Sequence, residues 1–177
     1  MKRSTSWSNS SRNLPSARRE YANESDPTRP TEPPLHLLPN KRGRPYLVSV
    51  ISHITLGTND KDRSTKFYDA VLGAIGFSRL PKPPEKPLAY ERDERMPTIY
   101  IYTPENGLPA TWGNGTHVAF VADTRAQVHT FHEQALKWGG RSEGDPGPRP
   151  HYGPNYYAAY VRDPDGNKLQ AVCYASE

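Results

Sequence analysis

The fold is indicated by residues 116–140, THVAFVADTRAQVHTFHEQALKWGG, because a related segment, SHITLGTNDKDRSTKFYDAVLGAIG, occupies residues 52–76. Their ungapped alignment pairs residues of similar type: His117 with His53, Val118 with Ile54, Phe131 with Phe67, Leu136 with Leu72, and Gly140 with Gly76. Solenoids need at least about three copies of a repeat to bury their faces. Two copies therefore indicate a pair of modules that face each other.

Each copy is typical of a strand followed by a helix. In the first strand, residues 48–56, Ile54 and Leu56 face one side, whereas His53 and Thr55 face the other. The helix that follows carries an apolar stripe at the spacing of helical turns. Further strands are predicted at residues 88–92, 98–103, 156–162 and 168–174, the last two joined by the tight turn DPDGN. The proline- and glycine-rich residues 141–154 are predicted to be loop.

Together these elements predict an α+β fold. A sheet that one helix covers leaves its other face free. Two such sheets, in modules spanning residues 48–103 and 116–174, are expected to pair edge to edge into an open β cup with the helices outside. Pseudo-symmetry would then bring His53 and His117 together inside this cup.

The first 46 residues differ in composition from the rest of the chain. They hold nine basic and four acidic residues, a net charge of +5, whereas the whole chain is +4 and residues 47–177 are therefore −1. They also contain seven prolines and no apolar stretch longer than two residues. We predict a disordered basic extension over residues 1–46 and a single domain over residues 47–177. The domain itself has no charge signature of nucleic-acid binding.

The sequence contains few features that indicate where in the cell the protein is located. There is no apolar run long enough for a signal peptide or a membrane span, and Cys173 is the only cysteine. A reducing, cytoplasmic setting without a membrane partner is therefore expected. The alternative is mitochondrial targeting, because residues 1–19 are rich in arginine and serine and contain no acidic residue, as is typical of transit peptides.

Three stretches are similar to the glyoxalase, bleomycin-resistance and extradiol-dioxygenase superfamily, also called vicinal oxygen chelate proteins. They are the His53 strand with its helix FYDAVLG, the strand THVAF at residues 116–120, and VRDPDGNKLQAV at residues 161–172. The resemblance implies paired βαβββ modules around a cup that often binds a divalent metal ion such as Zn, Ni, Mn or Fe. The matching ligand positions here are His53, His117 and Gln170.

Two positions depart from the pattern of metal-dependent members. Tyr100 stands where the fourth ligand is expected, and a phenol is a poor ligand for most divalent ions near neutral pH because it keeps its proton there. Gln170 replaces the usual glutamate with a neutral amide. Two imidazoles and an amide leave the charge of an ion uncompensated. The metal site is therefore conditional, and metal-dependent glyoxalase I activity is disfavoured.

Several aromatic and polar residues are candidates for contacting a small molecule. Strand parity aims Tyr100 and Tyr102 at the cup, where they suit an aromatic or conjugated ligand. The long loop of the second module, with Arg149, is a candidate lid. The predicted substrate-binding set is Tyr100, Tyr102, His151, Tyr152, Asn155 and Tyr157. The alternative is that these residues, like His53 and His117, are ordinary polar and aromatic residues of the sheets.

Two functions of different classes follow. One is a metal-assisted lyase, isomerase or ring-opening dioxygenase acting on a small oxygen-bearing molecule. The other is a non-catalytic protein of the bleomycin-resistance type that binds or sequesters a small molecule in the same cup. A carboxylate at position 100 or 170 would favour the enzyme, and its absence favours a degenerate site. The resemblance also predicts a homodimer.

Overall fold

The structure is a computed structural model that describes residues 49–93 and 95–176. The first module contains β1 (His53–Gly57), α1 (Lys61–Gly73), β2 (Ser78–Arg79), β3 (Leu88–Arg92) and β4 (Arg95–Tyr102). The second contains β5 (Val118–Val121), α2 (Arg125–Lys137), β6 (Arg141–Pro148), β7 (Tyr157–Arg162) and β8 (Lys168–Cys173). The predicted extension over residues 1–46 lies outside the described residues.

The two sheets have the same topology. Their strand orders are β1-β4-β3-β2 and β5-β8-β7-β6. In each sheet the first strand runs parallel to the last, and the other pairs are antiparallel. The sequence repeat is thus a repeat of structure, and the predicted α+β fold of two βαβββ modules is confirmed.

Both helices begin at a side-chain cap. Asp60 accepts a hydrogen bond from the backbone N–H of Arg63 at 2.9 Å at the start of α1. Thr124 and Gln127 form a capping box at the start of α2. Each helix then buries one apolar stripe, which includes Phe67 and Phe131 at the aligned positions of the repeat. Burial of one such large apolar side chain contributes about 1.5–3 kcal/mol.

One hydrophobic core spans both modules. The two helices pack against each other, and alternate residues of each sheet, such as Ile99 and Leu169, point into the same core. Among the described residues, no strand of one sheet pairs with a strand of the other, although Arg92 on β3 donates a hydrogen bond to the Val121 carbonyl on β5 at 2.8 Å. The expected edge-to-edge pairing of β1 and β5 is therefore not present within one chain, and each sheet presents its own free face.

The DPDGN turn between β7 and β8 fastens the second module to the first. The Asp165 side chain, only 3% exposed, accepts hydrogen bonds from Thr58 Oγ1 at 2.8 Å and Arg63 Nη2 at 2.8 Å. Asp163 accepts one from the buried Tyr68 hydroxyl at 2.6 Å. This motif, which carries much of the sequence resemblance, thus has a structural role at the contact between the modules.

The prediction of loop over residues 141–154 was wrong for its first half. Strand β6 occupies Arg141–Pro148 and pairs with β7 despite its prolines and glycines. The strand is tolerated because it lies at the sheet edge and its register shifts around Gly144 and Gly147, where proline need not donate to a ladder. This strand forms one wall of the candidate site.

Candidate functional site

An open cavity of about 490 Å³ lies on the second sheet. Its floor comes from β7, β8 and His117, which directly precedes β5, on the side of the sheet away from α2, and its walls come from β6 and the loop that follows. The lining residues are His117, Glu143, Arg149, His151, Tyr152, Tyr156, Tyr160, Lys168 and Gln170.

Gln170 is the centre of the cavity floor and is 1% exposed. Its amide donates to the Tyr156 hydroxyl at 2.7 Å, and its Oε1 lies 3.2 Å from Nε2 of His117. Because that oxygen can only accept, His117 donates from Nε2 and presents the lone pair of Nδ1. A buried amide with both ends satisfied holds its neighbours in one orientation.

Aromatic rings form one side of the cavity. The His151 and Tyr152 rings are 4.1 Å apart between centroids, and Tyr152 lies 5.1 Å from Tyr156. Tyr156 continues the series to Tyr174 at 5.3 Å. Tyr152 is 62% exposed, so the face of one aromatic ring is open to solvent, with the His151 and Tyr156 rings inclined to it by 51° and 49°. Such surfaces suit a planar ligand.

Charged groups surround Tyr160, which lies directly opposite Gln170 in the β7–β8 pair. The Arg149 guanidinium is 5.8 Å and the Lys168 ammonium 5.3 Å from the centre of its ring. Burial raises the pKa of the Tyr160 phenol. Hydrogen bonding by Arg162, and more weakly by Lys168, lowers the pKa of Glu143. Glu143 is therefore a poor proton acceptor at neutral pH.

The structure brings some of the predicted site residues together. His117, Gln170, His151 and Tyr152 all line this cavity. Asn155 is exposed in the adjoining loop but is not among the lining residues.

Tyr157 lies on the helix-covered face of the second sheet. Its hydroxyl is 2.7 Å from Nε2 of His129 on α2, and the Arg125 guanidinium stands 5.0 Å from its ring centre. The Tyr157 side chain is therefore directed away from the cavity.

The three predicted site residues of the first module lie elsewhere. His53 contacts Tyr100, with 5.7 Å between ring centroids, and its Nδ1 is 2.7 Å from Ser52 Oγ. Tyr102 donates a hydrogen bond to Glu105. None of these lines the cavity on the second sheet. Among the described residues, no hydrogen bond or ring contact joins His53 to His117.

Five lining residues were not in the predicted set: Glu143, Arg149, Tyr156, Tyr160 and Lys168, of which Arg149 was named only as part of a candidate lid. Two of them, Tyr160 and Lys168, could have been predicted from the DPDGN turn. A tight turn fixes the strand register, which pairs Arg162 with Lys168 and therefore Tyr160 with Gln170. Glu143 was missed because its strand was predicted as loop. Tyr156 lies just before β7, and outside a strand the alternation of side chains does not predict which way its side chain points.

Comparison with known families now bears on this arrangement. The sequence model of the Glyoxalase/Bleomycin resistance protein/Dioxygenase superfamily matches residues 50–171. The chain belongs to this superfamily. Comparison with curated proteins found no match. The superfamily assignment therefore rests on the domain and its fold.

Solved structures of the superfamily share the fold. A glyoxalase/bleomycin resistance protein from Albidiferax ferrireducens T118 is 39% identical, with a TM-score of 0.63 over 72% of this chain and 100% of that one. A glyoxalase-related enzyme from Fulvimarina pelagi is 21% identical, with a TM-score of 0.56 over 71% of this chain and 88% of that one. The second likeness shows the fold alone.

Superfamily members are often metal-dependent, so the question is whether the side chains of this chain could bind a metal ion. Across residues 49–93 and 95–176, no group of three or more His, Cys, Asp or Glu side chains could hold a metal. The two predicted ligand atoms that do meet, His117 Nε2 and Gln170 Oε1, are already joined by a hydrogen bond and carry no negative charge. The residues of one described chain therefore do not fit a resident metal ion.

Neither described helix has the length and apolar character that crossing a membrane requires.

Proposed function

We propose that the cavity on the second sheet binds a small oxygen-bearing molecule without a metal ion, as a superfamily member of the binding or sequestering type. One observation carries this proposal: Tyr156, Gln170 and His117 form a fixed hydrogen-bonded row on the floor of a cavity that also has an aromatic wall. The row offers a ligand the Tyr156 hydroxyl as a donor and the Nδ1 lone pair of His117 as an acceptor, both oriented before binding, which lowers the entropic cost of association.

Binding of an aromatic amide tests this proposal. Benzamide titrated into the full chain should shift the NMR signals of His117 and Tyr156. Gln170→Leu should weaken binding by about tenfold or more, because it removes the group that orients both neighbours. Gln134→Leu on α2 is the matched control and should bind as the native chain does. Benzamide signals that do not move, or that move equally in Gln170→Leu, would count against the proposal.

A second candidate is a metal-assisted enzyme assembled from two chains. What favours it is membership of a superfamily that includes dioxygenases. The hydrogen bond of 3.2 Å between His117 Nε2 and Gln170 Oε1 would have to break before both atoms could bind an ion. His53 would then have to come from a second copy. In this arrangement His117 and Gln170 would hold the ion, which would polarise a substrate oxygen.

A homodimer is part of both candidates. The edge strands β1 and β5 have one unpaired side, and Val121 on β5 is 55% exposed. Unpaired strand edges are usually covered by another element or another chain. We propose that two copies join through these edges, so that the first sheet of one protomer closes the cavity on the second sheet of its partner.

A further inference from the structure

The cavity on the second sheet carries more positive than negative charge. Arg149, Lys168 and Arg162 lie in or beside it, and Glu143 is the only carboxylate among the lining residues that the structure describes. Glu143 pairs with both Arg162 and Lys168, the latter at 3.3 Å. Among the described lining residues, two cations, Arg149 and Lys168, therefore face one carboxylate, which leaves an excess of positive charge at the opening.

Arg149 is positioned without being neutralised. Its guanidinium donates from Nη2 to the carbonyl of Asp145 at 2.8 Å and from Nη1 to the carbonyl of Pro148 at 3.1 Å. No carboxylate pairs with it in the described part of the chain. Neutral carbonyls hold the guanidinium in place but leave its charge available to a ligand, to which a planar guanidinium can donate two hydrogen bonds.

The cations lie beside the aromatic wall. Arg149 and Lys168 both stand over the Tyr160 ring, while Tyr156 and Tyr152 line the same opening. A ligand that fits this arrangement has a flat, apolar part and an oxygen-centred negative charge at one end. A neutral aromatic molecule would satisfy only the first requirement, and a cation would meet repulsion.

Resting on the proposed function, we infer that the molecule bound here is an aromatic or conjugated carboxylate. Its ring lies against Tyr152 and Tyr156, and its carboxylate lies against Arg149 and Lys168. The ligand class is thereby narrowed from small oxygen-bearing molecules to small planar anions.

The test compares three probes of nearly equal size: benzoate, benzamide and benzylammonium, each titrated into the full chain by NMR. Benzoate should bind about tenfold more tightly than benzamide at low salt, because a charge contact in a partly closed site supplies a difference of this order. High salt should narrow this gap by weakening benzoate alone. Benzylammonium should bind most weakly.

Arg149→Gln and Lys168→Gln should each weaken the binding of benzoate, and so bring its affinity close to that for benzamide in the same variant. Lys137→Gln, at an exposed position of α2, removes the same charge and should change neither. Equal binding of benzoate and benzamide in the native chain would overturn this inference and leave the proposed function standing. Binding of none of the three probes would overturn both.

Discussion

His117 and Gln170 lie 53 residues apart in the chain, and their side chains meet with 3.2 Å between Nε2 and Oε1. The contact arises because β5 and β8 are parallel neighbours in the second sheet, with Ala119 paired to Gln170. It joins two neutral groups where metal-dependent relatives are expected to carry a charged ligand. The floor of the cavity on the second sheet therefore presents hydrogen-bonding groups to a ligand.

The first prediction concerns metal binding. Calorimetric titration of Zn, Ni, Mn and Fe ions into the native chain should give no stoichiometric binding. Gln170→Glu should gain affinity by about tenfold or more, because a carboxylate neutralises part of the charge of an ion beside His117. Adding His117→Ala to Gln170→Glu should remove that gain. Stoichiometric binding by the native chain, lost in His117→Ala, would instead support the metal-assisted enzyme.

The second prediction concerns assembly. Light scattering at micromolar concentration should give the mass of a dimer. Val121→Lys should shift the mass toward the monomer, because lysine on an exposed strand edge opposes pairing with another edge. Leu136→Lys, at a position on α2 that is 45% exposed, is the matched control and should remain dimeric. A monomeric native chain would rule out this mode of assembly.

The third prediction concerns the contact between the modules. Tyr68→Phe removes the hydrogen bond from a fully buried hydroxyl to Asp163, and urea unfolding should show a loss of about 1–2 kcal/mol. Tyr152→Phe removes a hydroxyl from an exposed side chain and should change the free energy of unfolding by less than about 0.5 kcal/mol. Equal changes in the free energy of unfolding would show that the hydrogen bond from Tyr68 to Asp163 contributes no more to stability than an exposed hydroxyl does.

The fourth prediction concerns pH. Burial lowers the pKa of His132, an effect that nearby Asp145 partly opposes, and Nε2 of His132 lies 2.9 Å from Ser142 Oγ on β6. The unfolded chain then binds the proton more readily, so His132 stabilises the fold above the ordinary pKa of about 6.5. This stability is lost as the pH falls through the lower folded pKa.

Denaturant unfolding at several pH values measures this loss. His132→Gln should flatten the decrease in the free energy of unfolding below about pH 6.5, because glutamine does not titrate. His129→Gln keeps His132 and should keep the decrease. The same slope in His132→Gln as in the native chain would assign the pH dependence to other groups.

The fifth prediction comes from composition. Removing residues 1–45 should leave the melting temperature within a few degrees of the native value, because the repeat and its apolar pattern begin only after them. Differential scanning calorimetry of the two chains measures this. A larger drop would place the start of the domain nearer the amino terminus than residue 47.

The fold class could be predicted from the chain alone because its signals are local. Phe67 and Phe131 occupy aligned positions of the repeat, and both are fully buried in their helices. Alternation in the strands likewise placed Ile54 toward the core and His53 toward the free face. Such patterns depend on the period of a helix or strand, which a few neighbouring residues specify.

The grouping of side chains in the cavity depended on tertiary structure. Parity showed which face His53, His117 and Tyr100 occupy, but not that the two modules share one core while their strands remain in separate sheets. Glu143 reached the cavity only because β7 offers a partner for an edge strand whose own residues favour loop. Distances between sheets and pairing at an edge follow from packing across the whole domain, and no local period encodes them.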